Sequence, residues 1–301
     1  MSTPLMITHL LLERFARQLL PRVPEAHAVM EAPKQIDAFL QSGRDDGVLS
    51  YFYFFHAVMS LPVIRPGDTV LDLACGPATQ LAQIARLNPH TQFIGIEASR
   101  NMLERGRDTV AAVQADNVAL QLGDITQLDA IATASIDCVL CTMSLHHLPD
   151  VAALNKTMSE IRRVLKVDGG IYFADFGRLK RAATQKFFAH DRANLQSQQF
   201  TEDFLQSTRA AFSVSELAAA TANIGIELTR YATALAPFLL IFRSAERRPI
   251  ETALAAQVSQ RYLQFSRQQR RDFDNMVRWF RVGGLSLPCT ISLADGESAP
   301  R

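Results

Sequence analysis

An excess of charge of either sign is what this sequence most plainly lacks. Its 301 residues carry 31 Lys and Arg against 30 Asp and Glu, a formal net charge of +1. A balanced chain exerts no general pull on nucleic acid or on an anionic membrane, so neither is expected as a partner. Cysteine is scarce: four in the whole chain do not make a disulfide framework. Two of them, Cys138 and Cys141, lie in the apolar run Ile136–Met143, which reads as a buried strand. An offset of three along a strand sends them to opposite faces, and no metal centre is expected. The sequence also lacks an apolar stretch of the ~20 residues a spanning helix needs; the candidate Val48–Ile64 is shorter and holds His56 and Pro62. The first apolar run, Ile7–Leu12, has no basic leader and meets Glu13 and Arg14, unlike a secretory signal. A reduced, cytoplasmic protein is the reading these absences leave. Apolar residues, by contrast, make up 48% of the chain, enough for a core without disulfide or metal staples.

Residues 1–62 read as helical. Ile7, Leu10, Leu11, Phe15 and Leu19 keep helical spacing up to Pro21. Pro24 and Pro33 punctuate the turn region beyond it, before a short helix around Ile36–Leu40 and an apolar one over Val48–Met59. After the turn signal Arg65-Pro66-Gly67-Asp68, β-rich runs alternate with helical ones. Strands are expected at Thr69–Ala74, Gln92–Glu97, Val118–Leu122, Ile136–Met143 and Gly170–Phe176, with helices at Thr79–Leu87, Arg100–Ala112 and Val151–Leu165. That alternation implies a parallel sheet covered on both faces. Residues 178–212 read as a polar helical insertion toward substrate, and Ser213-Val-Ser-Glu216 as a capping box. Ile226–Ala232 and Phe238–Phe242 are too close for a parallel crossover, so the sheet ends in an antiparallel hairpin. A helical stretch from Leu254 to Phe280 comes next, and the tail Asp295–Arg301 is expected to be disordered. The fold class is α/β, doubly wound and mostly parallel. The core spans 63–245, between a helical cap, lid or oligomerisation region at 1–62 and a helical extension at 246–301.

The most informative stretch is Val70-Leu-Asp-Leu-Ala-Cys-Gly-Pro-Ala-Thr79: an apolar strand, an acidic residue, a turn of small residues, then a helix. A dinucleotide fold wants G-x-G-x-x-G here. This turn misses that pattern, and Pro77 removes an N–H that a phosphate would use. A nucleoside without pyrophosphate fits better. Asp72-Leu-Ala-Cys-Gly-Pro-Ala78 resembles the first motif of class I S-adenosylmethionine-dependent methyltransferases, commonly acidic-x-Gly-x-Gly-x-Gly. It keeps the central Gly76 and places alanine at 74 and 78, which narrows clearance. Glu97 ends the second strand twenty-five positions after Asp72, and Gly123-Asp124-Ile125 comes after the third.

The resemblance covers residues 63–176 well and 213–243 in outline, and implies a seven-stranded sheet with its last strand inserted antiparallel. It implies cofactor contacts from Asp72, Ala74, Cys75, Gly76 and Thr142, and from Glu97 to the ribose hydroxyls. Ala98 is implied as a further cofactor contact, Ser99 and Met102 where a side chain packs on the adenine, and Ile125 flanking its ring, with Asp124 accepting from its amino group. A carboxylate suits neighbouring hydroxyls because it can accept from both. The segment Cys141-Thr-Met-Ser-Leu-His-His-Leu-Pro149 is similar to the one beside the transferring methyl in many small-molecule members. It is unlike the Asn/Asp-Pro-Pro-Tyr/Phe of many DNA and protein methyltransferases. His146 or His147 is a candidate general base, since a histidine ordinarily titrates near neutrality. Tyr51, Tyr53 and His56 belong either to a core-facing helix or to a substrate lid. The implied reaction is in-line displacement onto an oxygen, nitrogen or carbon of a small-molecule acceptor, leaving S-adenosylhomocysteine. Two alternatives stand beside it: a non-catalytic or partner-dependent cofactor-binding subunit, and an arsenite-type enzyme with Cys75 and Cys141 brought together. The apolar helices at both ends allow a homodimer.

Overall fold

A computed structural model of the chain describes residues 3–27 and 29–291. The expectation for the tail Asp295–Arg301 lies outside them. Three helices come first: α1 (Thr3–Phe15), α2 (Pro33–Gly43) and α3 (Ser50–Ser60). The alternating region comes next as β1 (Thr69–Leu73), α4 (Thr79–Leu87), β2 (Gln92–Glu97), α5 (Arg100–Ala112), β3 (Val118–Leu122), β4 (Ile136–Thr142), α6 (Val151–Val164) and β5 (Leu165–Phe176). Then come α7 (Ala182–His190), α8 (Gln198–Ala210), α9 (Val214–Ala222), β6 (Thr229–Ala232), β7 (Leu239–Arg243), α10 (Thr252–Gln264) and α11 (Arg267–Val282).

The seven strands form one sheet in the order β3-β2-β1-β4-β5-β7-β6. β1 to β5 run parallel, and β7 lies antiparallel between β5 and β6, as the short connection around Pro237 requires. Strand order reverses direction between β1 and β4, the point beside which open α/β sheets bind their ligands. Side-chain alternation splits the core in two. Val70, Phe93, Cys138, Leu140 and Tyr172 face one apolar layer; Leu71, Leu73, Val139, Cys141 and Phe173 face the other. Cys138 and Cys141 therefore point apart, as their spacing requires.

Helix α3 is buried nearly all round, from Phe52 to Ser60, because α4 and α11 pack against it. A helix apolar on every side is stable only in such a sandwich. The segment after β7 is tied back to the start of the sheet by Arg247, whose guanidinium donates to Asp68 at 2.6 Å and to the Val63 carbonyl. The Ser213–Glu216 capping box forms as read. Several boundaries differ from expectation, three of them for a visible reason. α1 stops at Phe15, and residues 16–27 and 29–32 belong to a strap whose own Arg22 and Glu25 side chains tie it to the rest of the fold. β5 starts at Leu165, because Leu165 pairs with Ile136 before the register shifts. β6 starts only at Thr229; Ile226 and Leu228 pack against the core without pairing.

Candidate active site

The turn after β1 is a run of left-handed backbone. Ala74, Gly76 and Ala78 have φ of 55°, 54° and 55°. The two alanines thus occupy a conformation natural to glycine, at a cost of about 1–2 kcal/mol each. What holds the turn is Glu97. Its Oε2 accepts from the Gly76 N–H and its Oε1 from the Ser99 N–H, both at 2.8 Å. Each oxygen retains a lone pair for a further donor. The Cys75 side chain lies over Gly95 of β2, where an added Cβ would meet its Sγ at 2.8 Å and Leu120 at 2.7 Å. Only glycine allows β2 and the turn to approach this closely.

Asp72 is the unusual member. It is buried, with 6% of its surface exposed, and accepts no hydrogen bond from the described residues. Burial, with the like charge of Glu97 beside it, pushes its carboxyl up to about 8. A buried acid beside another acid, with no donor of its own among the described residues, lacks a compensating charge.

Beyond β2, the Ser99 hydroxyl caps α5 by accepting from the Met102 N–H at 3.1 Å; Met102 is buried and Ala98 exposed. The Gly123 N–H donates to the Glu97 carbonyl, tying the β3 turn to the end of β2. Asp124 is exposed, its Oδ1 occupied by the Thr126 N–H, and Ile125 is buried beside it.

The end of β4 closes the other side. The Thr142 hydroxyl accepts from Gln80 Nε2 at 3.0 Å, and the Ser144 hydroxyl donates to the Ala74 carbonyl. The two turns are therefore joined directly. The His146 N–H donates to Asp175 Oδ2 at 3.0 Å, and its ring Nδ1 meets Asp175 Oδ1 at 2.6 Å. Main chain and ring are both fixed, and Nε2 is left for another partner. His147 Nδ1 meets Glu25 Oε2 at 2.5 Å, and Glu25 Oε1 accepts from the Ser207 hydroxyl. Burial opposes a charged His147, but the hydrogen bond and charge of Glu25, with Asp175 and Glu97 nearby, outweigh it and raise its pKa. Glu25 is lowered correspondingly: its own burial works against that shift, and the His147 contact prevails.

Glu25 arrives on the strap. So does Arg22, whose guanidinium donates to the carbonyls of His146, Leu148, Pro149 and Ala210 and lies 3.9 Å over the Phe212 ring. Glu31, further along, accepts from Asn101 at the start of α5. Glu25, His146 and His147 bring three metal-capable atoms within 4.8 Å of one another. The two Nδ1 nitrogens and both Glu25 oxygens are already engaged with Asp175, Ser207 and each other.

Of the residues singled out in the sequence, Asp72, Ala74, Cys75, Gly76, Glu97 and Thr142 come together at the switch point, with the two histidines beyond them. Asp124, Ile125, Ala98 and Met102 lie past the ends of β2 and β3. His56 lies elsewhere: it is fully buried, its Nδ1 2.6 Å from the Tyr172 hydroxyl, with burial pushing its pKa down to about 3. Tyr53 is buried and Tyr51 half-buried on the same helix. Cys75 and Cys141 side with opposite core layers, so the thiols do not converge. Sequence reading missed Gln80, Asp175, Arg22 and Glu25. Asp175, at the end of an expected strand, carried the same signal as Asp72; the strap residues carried none.

Residues 64–224 match the methyltransferase domain family. The chain is 31% identical over 159 residues to a demethylmenaquinone methyltransferase of Symbiobacterium thermophilum, covering 52% of this chain and 57% of that one. It is also 31% identical over 169 residues to an uncharacterized protein from a transposon of Streptomyces fradiae, covering 53% and 46%. The chain thus spans about half the length of these curated relatives. Among solved structures, an S-adenosylmethionine-dependent methyltransferase from Aquifex aeolicus superimposes with a TM-score of 0.52 at 15% identity, over 71% of this chain and 98% of that one. No helix among the described residues is long and apolar enough to cross a membrane.

Proposed function

We propose, starting from the fact that the chain belongs to the methyltransferase domain family, that it transfers the methyl group of S-adenosylmethionine to a small-molecule acceptor. The observation that carries this reading is the pair of carboxylates around the left-handed turn. Asp72 is buried without a donor, and Glu97 retains acceptor capacity after steadying the turn. A ligand bearing an ammonium, a sulfonium and neighbouring hydroxyls supplies what both lack. Ala74, Cys75 and Gly76 line the turn against it. Asp124, through the oxygen that Thr126 leaves open, and Ile125, Ala98 and Met102 meet its base. Thr142 stands between donor and acceptor.

Bound S-adenosylmethionine supplies a methyl carbon already activated by its sulfonium. The chain's task is alignment and exclusion of water, and alignment can be worth up to ~7–11 kcal/mol of barrier. His146 takes the proton of a hydroxyl acceptor at Nε2. Asp175 holds its ring in place, the logic of an oriented base, worth about 10²–10⁴-fold. His147, its pKa raised by the pairing with Glu25, anchors the strap over the acceptor side. The similarity to a demethylmenaquinone methyltransferase supports a small molecule as acceptor. The divergent cysteines speak against arsenite chemistry. Incubating the chain with methyl-labelled donor and panels of phenols, amines and activated carbon acids tests the proposal. Label in at least one low-molecular-mass product is expected. Donor binding without transfer to any panel would favour the non-catalytic or partner-dependent subunit.

A further inference from the structure

Helix α1 is apolar on two opposite sides. Its inner side, Met6 and Leu10 beside the buried Glu13, packs on α7, where the His9 and Phe187 rings stack with centroids 4.4 Å apart. At about 100° per residue, Ile7, Leu11, Phe15, Thr8, Leu12 and Leu5 succeed one another around the opposite side. None of them is charged. Phe15 is 78% exposed, Leu5 50%, Leu12 48%, Ile7 43% and Leu11 41%. With ~150–200 Å² on each large apolar side chain, this leaves on the order of 450 Å² of apolar surface in one strip. Leu19 and Val23, past the helix, are exposed as well.

That area sets the kind of occupant. A standard interface buries about 800 Å² per partner, of which roughly 450–520 Å² is apolar. The α1 strip supplies that share by itself. We infer that the outer face of α1 is a homodimer interface, packed on the same face of a second copy about a two-fold axis. An uncharged strip of leucine and phenylalanine is self-complementary, since no like charges are opposed when it meets itself. A lipid surface fits less well. Membrane-surface helices set a lysine- and arginine-rich face behind the apolar one, whereas α1 has Arg14 as its one arginine and no lysine, and its other side is buried in protein. The consequence for the site rests on the function proposed above. α1 runs directly into the strap that carries Arg22 and Glu25, so a partner holding α1 also holds the acceptor side closed.

Sedimentation equilibrium of the full chain at micromolar concentration tests this. Twice the chain mass is expected. The double substitution Leu12→Lys, Phe15→Lys should sediment as a monomer with an unchanged far-ultraviolet spectrum, both positions being exposed. The control Val282→Lys, at a site 78% exposed on α11, should remain dimeric. A monomeric wild type overturns the inference. So does a dimer that survives the double substitution, or a monomer that instead binds anionic phosphatidylserine vesicles through α1. A dimer that forms while the donor fails to bind would sink the functional reading and leave this interface standing.

Discussion

The donor and acceptor halves of the proposed site are built over different distances along the chain. On the donor side, Glu97 reaches Gly76 twenty-one positions away and Ser99 two positions away. On the acceptor side, Glu25 and Arg22 reach His147 and His146 across 122 and 124 positions. The donor half is one strand-turn-helix unit with its neighbouring strand. The acceptor half exists only when a strap without secondary structure lies across the end of the sheet. A region held by a few side-chain contacts opens more readily than one built into a sheet. The contrast predicts a rigid donor cradle and a cover able to admit acceptors.

Substitutions sharpen that contrast. The largest effect is expected from His146→Ala and Asp175→Asn, which should lower turnover of a hydroxyl acceptor by about 10²–10⁴-fold. Calorimetry should find donor affinity changed only a few-fold; a large loss of affinity would erase the division between halves. Glu97→Ala should do the reverse, weakening donor binding by about 1.5–3 kcal/mol and lowering thermal stability through the freed turn.

Asp72→Asn should separate binding from stability. Its carboxyl stands at about 8 in the folded chain, against ~3.9 unfolded. Between those values the folded state binds the extra proton, so this acid destabilises the fold progressively as pH rises from about 4 to 8. Asparagine removes the penalty. Denaturant titration should show a gain of up to about 4 kcal/mol at pH 7 that vanishes below pH 4, while donor binding falls. A variant less stable than wild type at pH 7 would mean Asp72 has a partner in the fold after all.

The smallest effect belongs to the strap. His147 is raised, so its contribution is full below its unfolded pKa and lost as pH climbs through the folded one. Glu25 is lowered, so its contribution is lost as pH falls through its folded value. The hydrogen-exchange protection factors of residues 20–27 should therefore be highest at about pH 5–6 and lower on either side. Glu25→Gln should flatten that profile and raise the acceptor KM a few-fold. A profile that stays sharp would remove the ion pair from the strap's closure.

The same contrast explains what could be read from the sequence. Strands β1 to β4 were legible because apolar runs and turn residues act locally, and the β6–β7 hairpin came from loop length alone. Asp72, Glu97 and Thr142 were legible as strand ends around a small-residue turn. That Asp72 stands unpartnered was not, because it depends on which donors are absent from the surrounding fold. Glu25 and Arg22 sit among prolines with no periodicity to mark them; their meaning comes from residues more than a hundred positions away. The run Tyr51–His56 left core and lid open, and only packing by α4 and α11 on both sides places it in the core.

One titration bears most directly on the donor cradle: S-adenosylmethionine into the purified chain at pH 7, in phosphate and in Tris, by calorimetry. A cationic ligand beside Asp72 must lower its pKa, so binding should expel a proton and the measured enthalpy should differ between the two buffers. Micromolar affinity with close to one proton released, and tighter binding as pH rises toward 8, is the expected result. A folded chain that binds neither S-adenosylmethionine nor S-adenosylhomocysteine would contradict the donor cradle outright.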